Sequence, residues 1–284
     1  MTPPRIREAP WSPRPPGRAY RGSMAALSAP APHAAPRIRL SRRAALQIGI
    51  FLLAYLLYSA ARWLTVGDLT AAKAHAEWIV HLEDHLGVAD EASVQRALSG
   101  TWVIWVLNHL YLAAQLVVVP GALVFVYRRS PPIYERLRNT ILATWLISIP
   151  VYAAFPVAPP RLAGIGMVDT ITTQTGFAMD SKLTTSFYNQ LAAVPSLHVG
   201  FAVAVGIAVA SVVRNPVART LALLWGPTIG LAVVATGNHF VFDIAAGLVA
   251  SALGYVAGRA IARAPLARPP RPSAPALRPA FGEV

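Results

Sequence analysis

The sequence predicts an all-α integral membrane protein, a six-transmembrane-helix bundle. Three observations carry that reading. First, 55% of the 284 residues are hydrophobic and only 13% charged, with a mean hydropathy of +0.48. Soluble domains carry about a quarter charged residues. Second, the apolar residues gather into six runs of about 15 residues or more. Third, basic residues concentrate in alternate connections between those runs, as they do on the cytoplasmic side of membrane proteins. There are no cysteines, so disulfides, thiolate catalysis and cysteine-ligated metals are excluded.

Residues 1–43 are rich in Pro, Ala and Arg, with nine arginines and one acid, Glu8. They show no hydrophobic period and read as a disordered basic tail. The net charge of +13 would suggest nucleic acid on a soluble protein. Beside six apolar runs it reads as attraction to a membrane surface, and no nucleic-acid partner is expected. The first span runs from Ala44 to Ala61, closed by Arg62 and Trp63. It is long for a secretory signal and sufficient to span. Residues 65–100 are mixed and comparatively acidic. Trp78, Leu82 and Leu86 recur at helical spacing and predict an amphipathic helix on the membrane surface. His81 and His85 share the polar face of that helix with Glu77 and Asp84; with no third ligand in view, no metal is expected there.

The second span is Thr101–Tyr127, anchored at the interface by Trp102 and Trp105. Its polar residues Asn108, His109 and Gln115 are expected to bond neighbouring helices, with His109 also a candidate to line a cavity. Arg128, Arg129, Arg136 and Arg138 lead to a third span, Asn139–Phe155. A Pro- and Thr-rich loop, 156–194, follows. The fourth span starts at Pro195-Ser196-Leu197-His198 and ends near Val213. The fifth covers Leu221–Ala235, and the sixth runs from Asn238 or His239 to Ile261. Residues 263–284 form a second Pro/Arg-rich tail. One membrane domain, 44–262, thus lies between two flexible tails.

Twenty of the 25 basic residues fall in the two tails, counting the second from Arg259, and in the connections after spans two and four. The positive-inside rule then places both termini in the cytoplasm, and an even span number agrees. The expected location is the plasma membrane of a bacterial cell. His198 and His239 both come at the outer ends of inward-running helices, at similar depth. Small residues below each, Ala202, Gly206 and Ala210 in one and Gly247, Ser251, Gly254 and Gly258 in the other, let the helices approach closely.

Asp243 is the only acid within the predicted spans and lies four residues after His239, on the same helical face. A carboxylate at membrane depth needs a partner and points to function. Asp243 would orient His239 and stabilise charge on it, which suits a nucleophilic histidine. Two parallel helix N-termini with free N–H groups would bind an anion. Ser196 and Asn238 would add capping groups, and Arg161 a guanidinium fork for phosphate oxygens. Such a site fits phosphoryl transfer from a lipid without metal or other cofactor. His239 attacks phosphorus, and His198 serves as general acid and then base. The expected partners are a phospholipid or lipid phosphate and, for transfer, an inositol or other hydroxyl acceptor. The alternative is a non-catalytic lipid-binding or transport protein with His239 and Asp243 as a structural pair.

These motifs resemble the type 2 phosphatidic acid phosphatase superfamily. In that family the second motif reads Pro-Ser-Gly-His and the third has His followed four residues later by Asp. Pro195-Ser196-Leu197-His198 matches the second except at Leu197, and His239 with Asp243 matches the third. The family's first motif is degenerate here: Ala154 stands where it has lysine, and Leu162 follows Arg161 in place of proline. Val233 replaces the arginine usual six residues before the nucleophile. Phe155–Arg161, Val194–His198 and Gly237–His239 look like the inositol phosphorylceramide synthase branch, which moves a phospho-headgroup between lipids. The resemblance covers about residues 44–262. It implies an outward-facing phosphohistidine site.

Overall fold

The computed structural model describes residues 41–64, 67–179, 181, 185 and 189–263. Most of the two tails and Lys182 of the 156–194 loop lie outside the described residues. The boundary between the chain's two contact units falls after Ala45, and the packing below is that of the second unit, from Leu46 onward.

Eleven helices lie among the described residues: α1 (Arg42–Leu64), α2 (Leu69–Leu86), α3 (Glu91–Leu98), α4 (Trp102–Ala113), α5 (Val119–Arg129), α6 (Pro131–Ala154), α7 (Pro160–Ala163), α8 (Thr170–Thr175), α9 (Leu197–Val212), α10 (Pro216–Ala235) and α11 (Val241–Arg263). Their ends follow local chemistry. Asp68 caps α2 by accepting from Ala71 N–H at 3.2 Å, and Gly87 closes that helix in the left-handed region. Asn215 caps α10 ahead of Pro216, which needs no N–H partner in the first turn. Helices α4 and α5 are one continuous rod joined by a π turn, Ala114–Val118. Pro120 follows it, and a ring without N–H is accommodated by such local widening.

Each of the six predicted runs coincides with helix. Among the described residues three helices are long and apolar enough to cross a membrane: Trp102–Arg129, Pro216–Ala235 and Val241–Ile261. Ala44–Ala60 and Leu197–Val212 are shorter apolar helices. Helix α6 has 24 residues but carries Glu135, Arg136 and Arg138 near its start. Large apolar side chains such as Leu52, Leu56, Leu116, Leu146 and Val256 stand exposed on the outside of the bundle. That is the surface a lipid environment, rather than water, accommodates.

The small residues do not form one seam. Ser251 donates to the Gly200 carbonyl at 2.9 Å, and a Cβ on Gly200 would sit 2.9 Å from the Gly247 carbonyl oxygen. Gly247 in turn lies directly against Ser196. These contacts hold α9 parallel to α11. Gly206 instead meets Ala222 of α10, and Gly254 and Gly258 meet Thr144 and Asn139 of α6. So the predicted pairing of the two seams holds only at the end near His198. Below it α11 leans on α6, whose Thr140, Thr144 and Ser148 turn their hydroxyls back onto their own helix at 2.7–2.8 Å. That removes polar hydrogens from the interface.

Helix α2 packs on the protein through a face of mostly small residues. Its buried stripe is Ala72, Ala76, Ile79 and Glu83, while Trp78 and Leu86 are exposed. The neighbours come close to the buried face, and small side chains fit there. An extended strand-like segment beside α2 is tied at both edges. Ala158 N–H donates to the Ala72 carbonyl at 3.0 Å, and Val157 N–H to Leu191 at 2.8 Å. This segment carries the chain into α7 and fixes where Arg161 begins.

Candidate active site

The site is built where α9 and α11 begin. Ser196 N–H donates to the Asp243 carbonyl at 3.0 Å, so the first turn of α9 is bonded to the first turn of α11. The segment that precedes α11 is a compact reversal after α10. Gly237 takes φ +70°, a conformation that favours glycine, and the Val233 carbonyl accepts from both Asn238 and His239 N–H. Gln95 of α3 braces this turn: its amide nitrogen donates to Ala235 and Val168 carbonyls, each at 3.0 Å.

His239 is thereby presented with its ring buried, 3% exposed. Its Nδ1 lies 3.2 Å from Asp243 Oδ2, and that oxygen also accepts from Phe240 N–H at 2.9 Å. A carboxylate oxygen already receiving one proton donor acts as acceptor, so Nδ1 carries the hydrogen and Nε2 is left with its lone pair. The other polar neighbours of the ring are the Ala193 carbonyl and Arg161. The His198 ring centroid is 6.0 Å from that of His239. On its far side His198 stacks on buried Tyr111 at 4.1 Å.

Arg161 donates from Nε to Asn238 Oδ1 at 3.1 Å, and its Nη2 is buried without a hydrogen-bond partner. A guanidinium nitrogen buried with a free hydrogen is a strong donor awaiting an acceptor. Asn238 is aimed by its own amide, which donates to Thr236 Oγ1 at 2.9 Å. Its place is therefore behind Arg161 and not at a helix cap. Ser196 occupies the N-cap position of α9, yet its Oγ makes no cap bond and is buried without a partner.

The six residues singled out from sequence, His198, His239, Asp243, Arg161, Ser196 and Asn238, lie around one spot. The anion site differs from expectation in one respect. Among the described residues the amides of Leu197, His198 and Val199 have no partner, so the N-terminus of α9 is open. That of α11 is not. Its first amides are taken by carboxylates: Phe240 by Asp243, Val241 by Glu91 at 2.9 Å, and Phe242 by Glu83 at 2.6 Å. One helix end, not two, is left to receive an anion. His109 faces outward, bonded to the Trp105 carbonyl of its own helix at 2.8 Å, and lines no part of this site. Asn108 is buried and ties α4 to α8 through Thr170 and Gln174.

Sequence reasoning missed Glu83, Glu91, Gln95 and Tyr111. A signal existed for the first. Glu83 continues the stripe of Ala72, Ala76 and Ile79 at helical spacing, and an acid on a small-residue face is unusual. Residues 77–257 match the family model described as the PAP2 superfamily, a span that contains every residue of this site. No curated protein and no solved structure gives a significant match to the chain.

Proposed function

The chain belongs to the PAP2 superfamily, and from that membership we propose a metal-independent phosphotransferase or phosphatase of membrane lipids working through a phosphohistidine. The observation that carries this is the approach of His198 and His239 to 6.0 Å beside an Arg161 Nη2 that is buried and unpaired. His239 Nε2 attacks phosphorus, the bond from phosphorus to the leaving oxygen breaks, and His198 gives that oxygen a proton. His198 then takes a proton from water or an alcohol, which attacks phosphorus. The P–N bond breaks and its electron pair returns to Nε2. Arg161 and the open amides of α9 hold the equatorial oxygens, with Ser196 Oγ within the same rim. Asp243 stabilises positive charge on His239.

Transfer of an inositol phosphate headgroup between lipids is the more specific reading, supported by the Phe155–Arg161 and Val194–His198 segments and by the absence of the usual arginine at Val233. On the charge distribution, both termini are cytoplasmic, six helices span the membrane and the site opens outward.

The test is purified protein with chelator, offered phosphatidic acid and phosphatidylinositol with and without a ceramide acceptor. Free phosphate and new lipids are followed together. We expect turnover that His239→Ala abolishes while the protein stays folded. Turnover unaffected by that substitution sinks the phosphohistidine. Phosphate release with diacylglycerol as the sole lipid product assigns hydrolysis over transfer.

A further inference from the structure

The first turn of α11 is gripped by acids from three places in the chain. Asp243 takes the Phe240 amide, Glu91 of α3 that of Val241, and Glu83 of α2 that of Phe242, all within 2.9 Å. Glu83 is 2% exposed and Glu91 5%. One capping acid suffices for a helix end, and three buried carboxylates so close would repel one another strongly. The surplus charge needs an explanation.

Glu83 supplies one. Its Oε1 accepts from Phe242, while its Oε2 is buried with no partner. Glu91 takes the amide next to the one Glu83 takes, so the two carboxyl groups stand side by side. A proton on Oε2, donated to Glu91, satisfies both side chains and removes one negative charge. We propose that Glu83 and Glu91 share one proton and act together as positioning residues for His239, clamping the backbone that follows it so that the imidazole stays against Asp243. Its catalytic meaning rests on His239 being the nucleophile; the clamp itself does not.

The electrostatics agree. Burial, opposed in part by the Phe242 hydrogen bond and reinforced by Glu91 and Asp243, pushes the Glu83 carboxyl up to about 8. The groups facing it are Glu91 from α3 and Asp243 from α11, with His239 beyond. From α7, also packed on α2, Arg161 turns to Asn238. On α2 itself Glu77, His81, Asp84 and His85 are exposed. Above that pH two adjacent carboxylates oppose each other and the clamp opens.

Glutamine at 83 keeps both bonds, accepting from Phe242 and donating to Glu91, but has no proton to lose. Leucine keeps neither. The test compares wild type, Glu83→Gln and Glu83→Leu from pH 6 to 10 by two readouts. One is turnover of dioctanoyl phosphatidic acid. The other needs no substrate: the downfield Nδ1–H resonance of His239 in protein labelled with ¹⁵N-histidine, identified by its loss in His239→Ala. Wild type is expected to lose turnover, and its resonance to shift, with a midpoint near pH 8. Glu83→Gln should stay within threefold of wild type at pH 7 and lack both alkaline changes. Glu83→Leu should lose at least tenfold in kcat or fail to fold. The proposal is overturned if Glu83→Gln loses tenfold at pH 7, or if it keeps the wild-type alkaline midpoint in either readout. Should wild type turn over no lipid while the resonance behaves as expected, the phosphotransfer reading fails and the clamp stands.

Discussion

Replacing Asp243 by asparagine separates charge from geometry at His239. Asp243 Oδ2 accepts two hydrogens, from His239 Nδ1 and Phe240 N–H, whereas Oδ1 is buried without a partner. Asparagine therefore has one good orientation, with its carbonyl oxygen in place of Oδ2 and its NH₂ in place of Oδ1. The reverse would set donor against two donors. The histidine keeps its tautomer, and what disappears is the negative charge that supports an imidazolium. Hydrogen bonds to charged groups contribute about 1.5–3 kcal/mol, so kcat should fall by about 10- to 150-fold. Where an asparagine inverts the tautomer, losses near 10⁴ are known. Stability should hold or rise, because one of three adjacent acids is neutralised. The assay is single-turnover phosphohistidine formation together with a melting curve. A loss below threefold refutes a charge-stabilising role for Asp243. A loss near 10⁴ with an unchanged melting temperature refutes the orientation argued from the two donors.

Four further outcomes follow from the same geometry. Glycine to alanine at 200 places a Cβ 2.9 Å from the Gly247 carbonyl oxygen; relieving it pushes α9 from α11 by about 0.5 Å and should destabilise by about 1–3 kcal/mol, seen as a lower melting temperature and reduced turnover. Arg161→Lys keeps a charge but loses the Nε bond to Asn238 and the fork, so KM for the lipid phosphate should rise at least tenfold; an unchanged KM removes Arg161 from phosphate binding. Glu83 binds its proton more tightly folded than unfolded, so its contribution is complete below about pH 4.5 and is lost as pH rises toward about 8. The melting temperature should fall across that window, and less steeply in Glu83→Gln. Finally, the chain has no cysteine, so single cysteines report topology directly: a membrane-impermeant maleimide on intact cells should label Asn189→Cys and not Ser23→Cys, and the opposite pattern inverts the proposed orientation.

Much of this molecule was written in local patterns. Each apolar run coincides with a helix, three of them long and apolar enough to cross a membrane, since that property requires only composition and length. His239 and Asp243 were readable as a pair from their four-residue spacing, although His239 precedes α11 and Asp243 reaches back past the Phe240 amide to meet it. Ser196 and His198 were likewise readable as the opening of a helix. Local rules said less about neighbours. The apolar stripe of Trp78, Leu82 and Leu86 does not reveal that α2 packs on the protein through Ala72, Ala76, Ile79 and Glu83, where close contact selects small side chains. The two small-residue seams were read as partners, but half of one belongs to α6.

The helix N-termini draw the line between the two kinds of information. From sequence alone α9 and α11 both begin with amides that no helical carbonyl can satisfy, and both qualify as anion sites. Which end stays open depends on what arrives there from elsewhere. Glu83 and Glu91 reach α11 across 159 and 150 residues of chain, and Arg161 finds Asn238 across 77. No period or spacing encodes those encounters. The sequence by itself determined the helices, the histidines and the local His–Asp pair, because each follows from residues within one or two turns. Tertiary packing decided that acids close α11 while no described residue closes α9, because a backbone amide donates to whichever carboxylate the packed chain delivers.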